Sequence, residues 1–152
     1  MNKNFKDNLR FGQQGEAEIE QLLIKKGYTI LPLYQFDADH APYIHSNEDE
    51  INSPDLICFK DKKITYVEVK TKNKWMRYYD LVRTGFDIRQ YNHYKRLKEV
   101  TGIDLYIFFN HKKESPTGIY FTELDNEHIF FENTKLKESY CLYDFKNLRK
   151  FE

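Results

Sequence analysis

Pro54-Asp55-Leu56-Ile57-Cys58-Phe59-Lys60, the polar turn Asp61-Lys62-Lys63, and Ile64-Thr65-Tyr66-Val67-Glu68-Val69-Lys70-Thr71 form the stretch from which the rest of the chain is read. Both flanking runs are rich in β-branched, aliphatic and aromatic residues, and the polar break between them marks a β-hairpin. With a two-residue loop at Asp61 and Lys62, Lys60 pairs with Lys63, and counting back pairs Asp55 with Glu68. The two carboxylates then stand opposite each other on one face, with Cβ atoms roughly 5 Å apart. Strand alternation puts Lys70 on that same face and sends Val67 and Val69 to the other. Facing carboxylates repel. A divalent metal between them removes the conflict, and the neighbouring ammonium suits a metal-bound phosphate.

Pro54-Asp55 followed by Glu68-Val69-Lys70 resembles the motif of the PD-(D/E)xK nuclease superfamily. That resemblance implies that Asp55 and Glu68, with the Val69 carbonyl, bind Mg²⁺, for which Mn²⁺ substitutes, and that Lys70 orients or deprotonates the attacking water. A chain with 32% charged residues also produces the tripeptide by accident, as in Asp61-Lys62-Lys63 and Asp144-Phe145-Lys146. Only Glu68-Val69-Lys70 lies in an apolar-alternating strand and follows the chain's one Pro-Asp at a spacing a hairpin closes.

Two further elements follow the same family order. Residues 15–26 read as a helix stopped by Gly27, with Ile19, Leu22 and Leu23 on one stripe. Glu16 projects at the edge of that stripe, whereas Glu18 points away. A carboxylate directed at the core needs a reason. In archaeal Holliday-junction resolvases and RecB-type exonucleases an N-terminal helix delivers a glutamate to the metal site, and Glu16, preceded by Gly12 and Gly15, is similar in position. The competing role is a first-turn acid favoured by the helix dipole. The second element is Gln90-Tyr91-Asn92-His93-Tyr94, on a helix from an Asp87 cap to Gly102. Gln90 and Tyr94, four apart, share a face. They resemble the Gln-x-x-x-Tyr element of RecB-type nucleases, which implies a catalytic role for Gln90 and a substrate-backbone contact for Tyr94.

The 152 residues fit one domain, 1–152, with neither linker nor repeat. Cys58 and Cys141 have no zinc-type spacing, which points to a reducing, intracellular (cytoplasmic) setting. No apolar run approaches the roughly 20 residues of a membrane span. The net charge of +0 conceals an asymmetry. Residues 27–59 hold no Lys or Arg, whereas 60–77 hold Lys60, Lys62, Lys63, Lys70, Lys72, Lys74 and Arg77. Lys72, Lys74 and Arg77, interleaved with Trp75, Tyr78 and Tyr79, are expected to grip nucleic-acid phosphates and stack on bases. Lys62 and Lys63 read as a solubilising edge.

The remaining chain reads as helix 5–26, strand 28–36, a long acidic loop 37–53 containing His40 and His45, an irregular segment up to 86, helix 87–101, strand 103–110, and short strands in the tail. The expected fold is α/β: a restriction-endonuclease-like central mixed β-sheet flanked by helices, with an added C-terminal β element. The expected function is a Mg²⁺-dependent deoxyribonuclease acting on DNA as a homodimer or higher homo-oligomer, since cutting two strands favours a symmetric partner. A non-catalytic nucleic-acid-binding or scaffold protein that keeps the fold is the alternative. It is disfavoured because Asp55, Glu68 and Lys70 are all present.

Overall fold

The computed structural model describes residues 3–35 and 41–152. Helix α1 (Lys3–Lys25) leads into β1 (Thr29–Pro32), a 3-10 turn (Leu33–Gln35), and the short strands β2 (Tyr43–His45) and β3 (Glu50–Asn52). Then come β4 (Leu56–Lys60), β5 (Lys63–Lys72), β6 (Met76–Tyr78), β7 (Leu81–Asp87) and helix α2 (Ile88–Thr101). The chain finishes with β8 (Leu105–His111), β9 (Gly118–Glu123), β10 (Ile129–Asn133), β11 (Glu138–Asp144) and β12 (Arg149–Lys150).

The hairpin has the register read from the sequence: Lys60 lies opposite Lys63 and Leu56 opposite Val67, which places Asp55, one step beyond β4, across from Glu68. Its loop residues Asp61 and Lys62 have φ of 51° and 65°. Positive φ at both positions is what a two-residue turn needs to follow the strand twist. β5 then pairs in parallel with β8, and the central sheet runs β1-β4-β5-β8-β9-β12. A second, antiparallel sheet runs β10-β11-β7-β6. The C-terminal strands therefore serve both sheets.

β5 alternates between two cores. Val67 and Val69 meet Ile19 and Leu23 of α1, together with Phe108. Tyr66 faces the other way, joining Tyr91, Tyr94 and Leu97 of α2 with Ile107 and Phe109 of β8 and with Phe86, Cys141 and Tyr143 of the second sheet. Leu105, Ile107 and Phe109 are fully buried; each such side chain contributes roughly 1.5–3 kcal/mol. The Asp87 carboxylate caps α2 by accepting from the Arg89 amide at 2.7 Å, and Gly102 ends it at φ 68°.

Three sequence expectations change. Of the strand expected over 28–36, the described residues form strand at Thr29–Pro32, because the Leu33 and Tyr34 amides turn back to donate to the Asp55 carbonyl at 2.9 and 3.2 Å; residue 36 lies outside them. The acidic loop contains the β2–β3 hairpin, anchored by Ile51, which is 4% exposed in the α2 core. Asp37, Asp39 and His40 lie outside the described residues. The segment read as irregular is the β6–β7 hairpin, turning through Tyr79 and Asp80 at φ 49° and 59°.

Candidate active site

Asp55 and Glu68 brace each other's backbone. Asp55 Oδ2 accepts the Val69 amide at 2.8 Å, and Glu68 Oε2 accepts the Asp55 amide at 3.1 Å. Glu68 Oε1 accepts the Tyr94 hydroxyl at 3.1 Å and stands 3.8 Å from Lys70 Nζ. The Lys70 ammonium packs over the rings of Tyr94 and Phe86, at 5.2 and 5.7 Å from their centroids. Aromatic faces hold a cation in place without neutralising it. The face that β5 turns toward α2 thus carries the carboxylate and ammonium together, as the hairpin register requires.

Gly15 brings the third carboxylate in. A Cβ at that position would stand 1.8 Å from Thr71 Oγ1, so glycine lets α1 lie against β5 at a separation where any larger residue would force the Thr71 side chain to move. The next residue, Glu16, is driven up to about 8 by burial and then by the negative charge of Asp55, with Lys70 opposing. Glu68 is held well above the usual carboxylate range by burial and by Asp55, again against Lys70. Asp55 is raised by burial, with the Val69 amide and Lys70 opposing. The Tyr94 phenol is pushed up by burial and by the charges of Glu68 and Asp55, which keeps it a neutral donor.

All three carboxylates are therefore short of positive charge, and hard oxygen donors of this kind fit Mg²⁺ or Mn²⁺. Among the described residues no three His, Cys, Asp or Glu side chains are gathered tightly enough to hold an ion. Mg²⁺ is commonly held by one or two carboxylates and several waters, so a partial protein set suffices.

The other expected contacts divide. Lys72 follows Glu68 and Lys70 on the same face of β5, its ammonium lowered to about 8 by burial and then by Lys70. Lys74 is exposed, whereas Arg77 already donates to Glu114 Oε1 at 3.1 Å. Gln90 is exposed, one helical turn before Tyr94. Tyr94 itself is 9% exposed and spends its hydroxyl on Glu68, so it supports a site carboxylate.

Trp75 requires correction as a stacking platform. It is 5% exposed, lies parallel to the His111 ring with centroids 3.7 Å apart, and is edged by Tyr120 and Phe145. Its indole N–H donates to the Pro116 carbonyl at 3.2 Å. The ring has no free face for a base.

Two α1 acids were not singled out by sequence reasoning. Glu18, although exposed, accepts from Asn110 Nδ2 at 3.1 Å and from Lys112 Nζ, tying α1 to β8. Glu20 is 8% exposed and accepts the Tyr34 hydroxyl at 2.5 Å. Its spacing of four from Glu16 was the available signal, since that interval shares a helix face.

No protein-family model matches this chain, and no curated protein does. Among solved structures it is similar to Hjc of Archaeoglobus fulgidus, a Holliday junction resolvase from an archaeal hyperthermophile. The match has 12% identity and a TM-score of 0.57, and it covers 89% of this chain and 89% of that one. A likeness at that identity is one of fold. The chain has the restriction-endonuclease-like α/β fold, a central mixed sheet flanked by helices.

Proposed function

We propose that the protein is a metal-dependent deoxyribonuclease. The observation that carries this reading is the braced pair Asp55 and Glu68 beside Lys70, on a fold similar to that of a junction resolvase, with Glu16 electrostatically joined to them. Asp55, Glu68 and the Val69 carbonyl would hold Mg²⁺ or Mn²⁺, with Glu16 as a further carboxylate. The ion, when bound, supplies Lewis acidity toward the phosphate and lowers the pKa of water. Lys70 would hold the attacking water and stabilise charge that develops on the phosphate oxygens. Tyr94 keeps the Glu68 carboxylate in its rotamer, and exposed Gln90 would orient the scissile phosphate. Lys72 and Lys74 would grip flanking phosphates.

In this reading residues 1–152 form one nuclease unit, acting inside the cell on DNA as a homodimer or larger assembly. Among the described residues no helix is long and apolar enough to cross a membrane. Endonucleolytic cleavage in recombination, repair, restriction or a mobile element fits the resolvase-like fold.

The test is cleavage of linear duplex, circular, single-stranded and four-way-junction DNA with Mg²⁺, Mn²⁺ or chelator. Asp55→Ala, Glu68→Ala and Lys70→Ala are each expected to lower the rate by at least about 10³-fold, roughly 4 kcal/mol of transition-state stabilisation, while the protein stays folded. Wild-type rates in Glu68→Ala, or cleavage indifferent to chelator, would remove the assignment and return the chain to a binding or scaffold role.

A further inference from the structure

The face of the central sheet turned away from Glu68 and Lys70 is only partly covered. α1 packs over its β4–β5 side through Ile19 and Leu23, and Phe151 caps the far side, its amide donating to the Ile119 carbonyl at 2.8 Å. Between them lies a cleft of about 370 Å³, within the range of ordinary ligand sites, roughly 300–1,000 Å³. Its floor is Val67, Phe108 and Phe121, and its walls include Tyr28, Tyr106 and Phe151. The rings form one array: Phe108 stacks on Phe121 at 5.1 Å with Phe151 edge-on to both, and Tyr106 lies 6.5 Å from Phe121.

The rim of this apolar cleft is cationic. Lys60 and Lys63 stand at one end, where β4 turns into β5, and Arg149 of β12 stands at the other. Arg149 is level with Phe121, Phe108 and Val69, so it stands three strands across and six residues along from Lys63, roughly 24 Å between backbones at strand spacing and rise. Lys60 Nζ is held over the Tyr28 ring at 4.8 Å and donates to the Lys26 carbonyl, so it is fixed at the rim without an acid. Among the described residues the Arg149 guanidinium has no ion-pair or hydrogen-bond partner. Asp61 and the Asp104 partner of Lys63 offset part of this charge and leave the rim net positive.

The partly exposed rings of Tyr106, Phe121 and Phe151, lying between separated cations, match the chemistry of a strand whose bases stack while its phosphates meet Lys and Arg. We propose that this groove is a second nucleic-acid site, taking nucleotides of a single strand on the face opposite the carboxylates. A base lies on the Phe121 and Tyr106 side of the floor, with phosphates toward Arg149 and toward Lys60 and Lys63. A free mononucleotide carries the same chemistry. A lipid-like anion or a second copy of this chain would use the apolar floor without needing phosphates at both ends. The proposal does not depend on the nuclease reading, because no groove residue belongs to the carboxylate site.

The experiment measures binding of 5′-labelled oligodeoxythymidylate by fluorescence anisotropy in chelator, with thermal shifts by AMP and by octanoate in parallel. Arg149→Glu reverses the charge at one end, and Thr65→Trp, on the groove wall, fills it. Both are expected to weaken oligonucleotide binding at least tenfold while leaving the melting temperature and metal-dependent duplex cleavage near wild type. Asp55→Asn, which lies outside the groove, should lose cleavage and keep this binding. Binding by AMP that equals the oligonucleotide per site, and is lost in the same variants, supports the groove and makes a free nucleotide its occupant. Unchanged binding in both variants overturns the proposal. So does stabilisation by octanoate without nucleotide binding, or self-association that Thr65→Trp abolishes. Loss of the nuclease reading, with cleavage absent throughout, leaves these outcomes readable.

Discussion

Two buried polar clusters lie along the β5–β8 pair, and burial acts on them with opposite sign. Around Glu68 it raises three carboxylates, Glu16, Asp55 and Glu68, so that they favour either a proton or a metal ion. Two residues beyond Lys70, it lowers Lys72 to about 8 and His111 to about 4, so that these bases favour losing a proton or gaining an anion. The first cluster is unresolved by protein contacts: its carboxylates brace one another but remain underneutralised. The second is held by packing, with His111 stacked on Trp75 and its Nε2 3.0 Å from Thr84 Oγ1, although its Nδ1 is buried without a hydrogen-bond partner. An uncompensated buried cluster marks chemistry more than a packed one does, and Lys72 is the member of the second cluster that still faces the first.

The largest expected effect tests the packed cluster. Trp75→Ala removes the ring that His111, Tyr120 and Phe145 enclose and should cost about 3–5 kcal/mol of stability, with each kcal/mol lowering Tm by roughly 2–4 °C. Calorimetry of the variant, beside its DNA affinity measured well below its Tm, separates the two roles. A stable variant with weakened binding would restore Trp75 as a stacking platform.

The pH dependence of stability should differ between the clusters. Glu16 has its pKa raised from 4.5 to about 8, so the native state retains a proton that the unfolded chain loses. That contribution is full below about 4.5 and disappears as pH rises through about 8. His111 has its pKa lowered from 6.5 to about 4; its contribution is full above 6.5 and is lost as pH falls toward 4. Metal-free Glu16→Gln should therefore flatten the alkaline decline in Tm and exceed wild type above pH 8, leaving the acid limb unchanged. Mg²⁺ should raise wild-type Tm above pH 7 and raise the variant's less. Parallel Tm curves for the two proteins would remove Glu16 from the carboxylate cluster; a helix-dipole role is not open to it, because α1 begins at Lys3, more than three turns before it.

What the sequence disclosed follows the same division. The hairpin register, and with it Asp55 opposite Glu68, was readable because a two-residue turn and strand alternation fix every side chain between. Asp87 and Gly102 marked α2 through capping chemistry that is local. The β6–β7 hairpin was hidden because Tyr79 and Asp80, which take the left-handed turn conformation, offer neither a glycine nor the polar run that marks Asp61-Lys62-Lys63. Trp75 was misread because its neighbours Lys74 and Arg77 suggested a nucleic-acid surface, while the ring's actual partners, His111, Tyr120 and Phe145, are at least 36 positions away. Glu18 and Glu20 were missed for a similar reason: their partners Asn110, Lys112 and Tyr34 come into reach only in the folded chain.

A smaller effect isolates one hydroxyl within the carboxylate cluster. Tyr94→Phe keeps the ring beneath Lys70 but removes the donor to Glu68 Oε1. Hydrogen bonds to charged groups contribute about 1.5–3 kcal/mol. The variant should raise the Mg²⁺ concentration needed for half-maximal cleavage by roughly tenfold, with little change in kcat at saturating metal. A fall in kcat at saturating metal would give the phenol a direct contact with substrate.

The smallest expected effect divides the basic stretch by what each cation already touches. Lys74 is exposed and Lys72 has a lowered pKa with no carboxylate paired to it among the described residues, whereas Arg77 is held by Glu114. In log K against log salt, measured on catalytically inactive Asp55→Asn protein, Lys72→Ala and Lys74→Ala should each reduce the slope by about one, as loss of one phosphate contact does. Arg77→Ala should leave the slope closer to wild type, because its guanidinium is already compensated. The Lys72 effect should also fade above about pH 8, where its ammonium loses its proton. Equal slopes in all three variants would mean that DNA opens the Arg77 and Glu114 pair on binding. No change in any of them would move the phosphate path off this stretch, toward Arg89, Lys95 and Arg96 on α2.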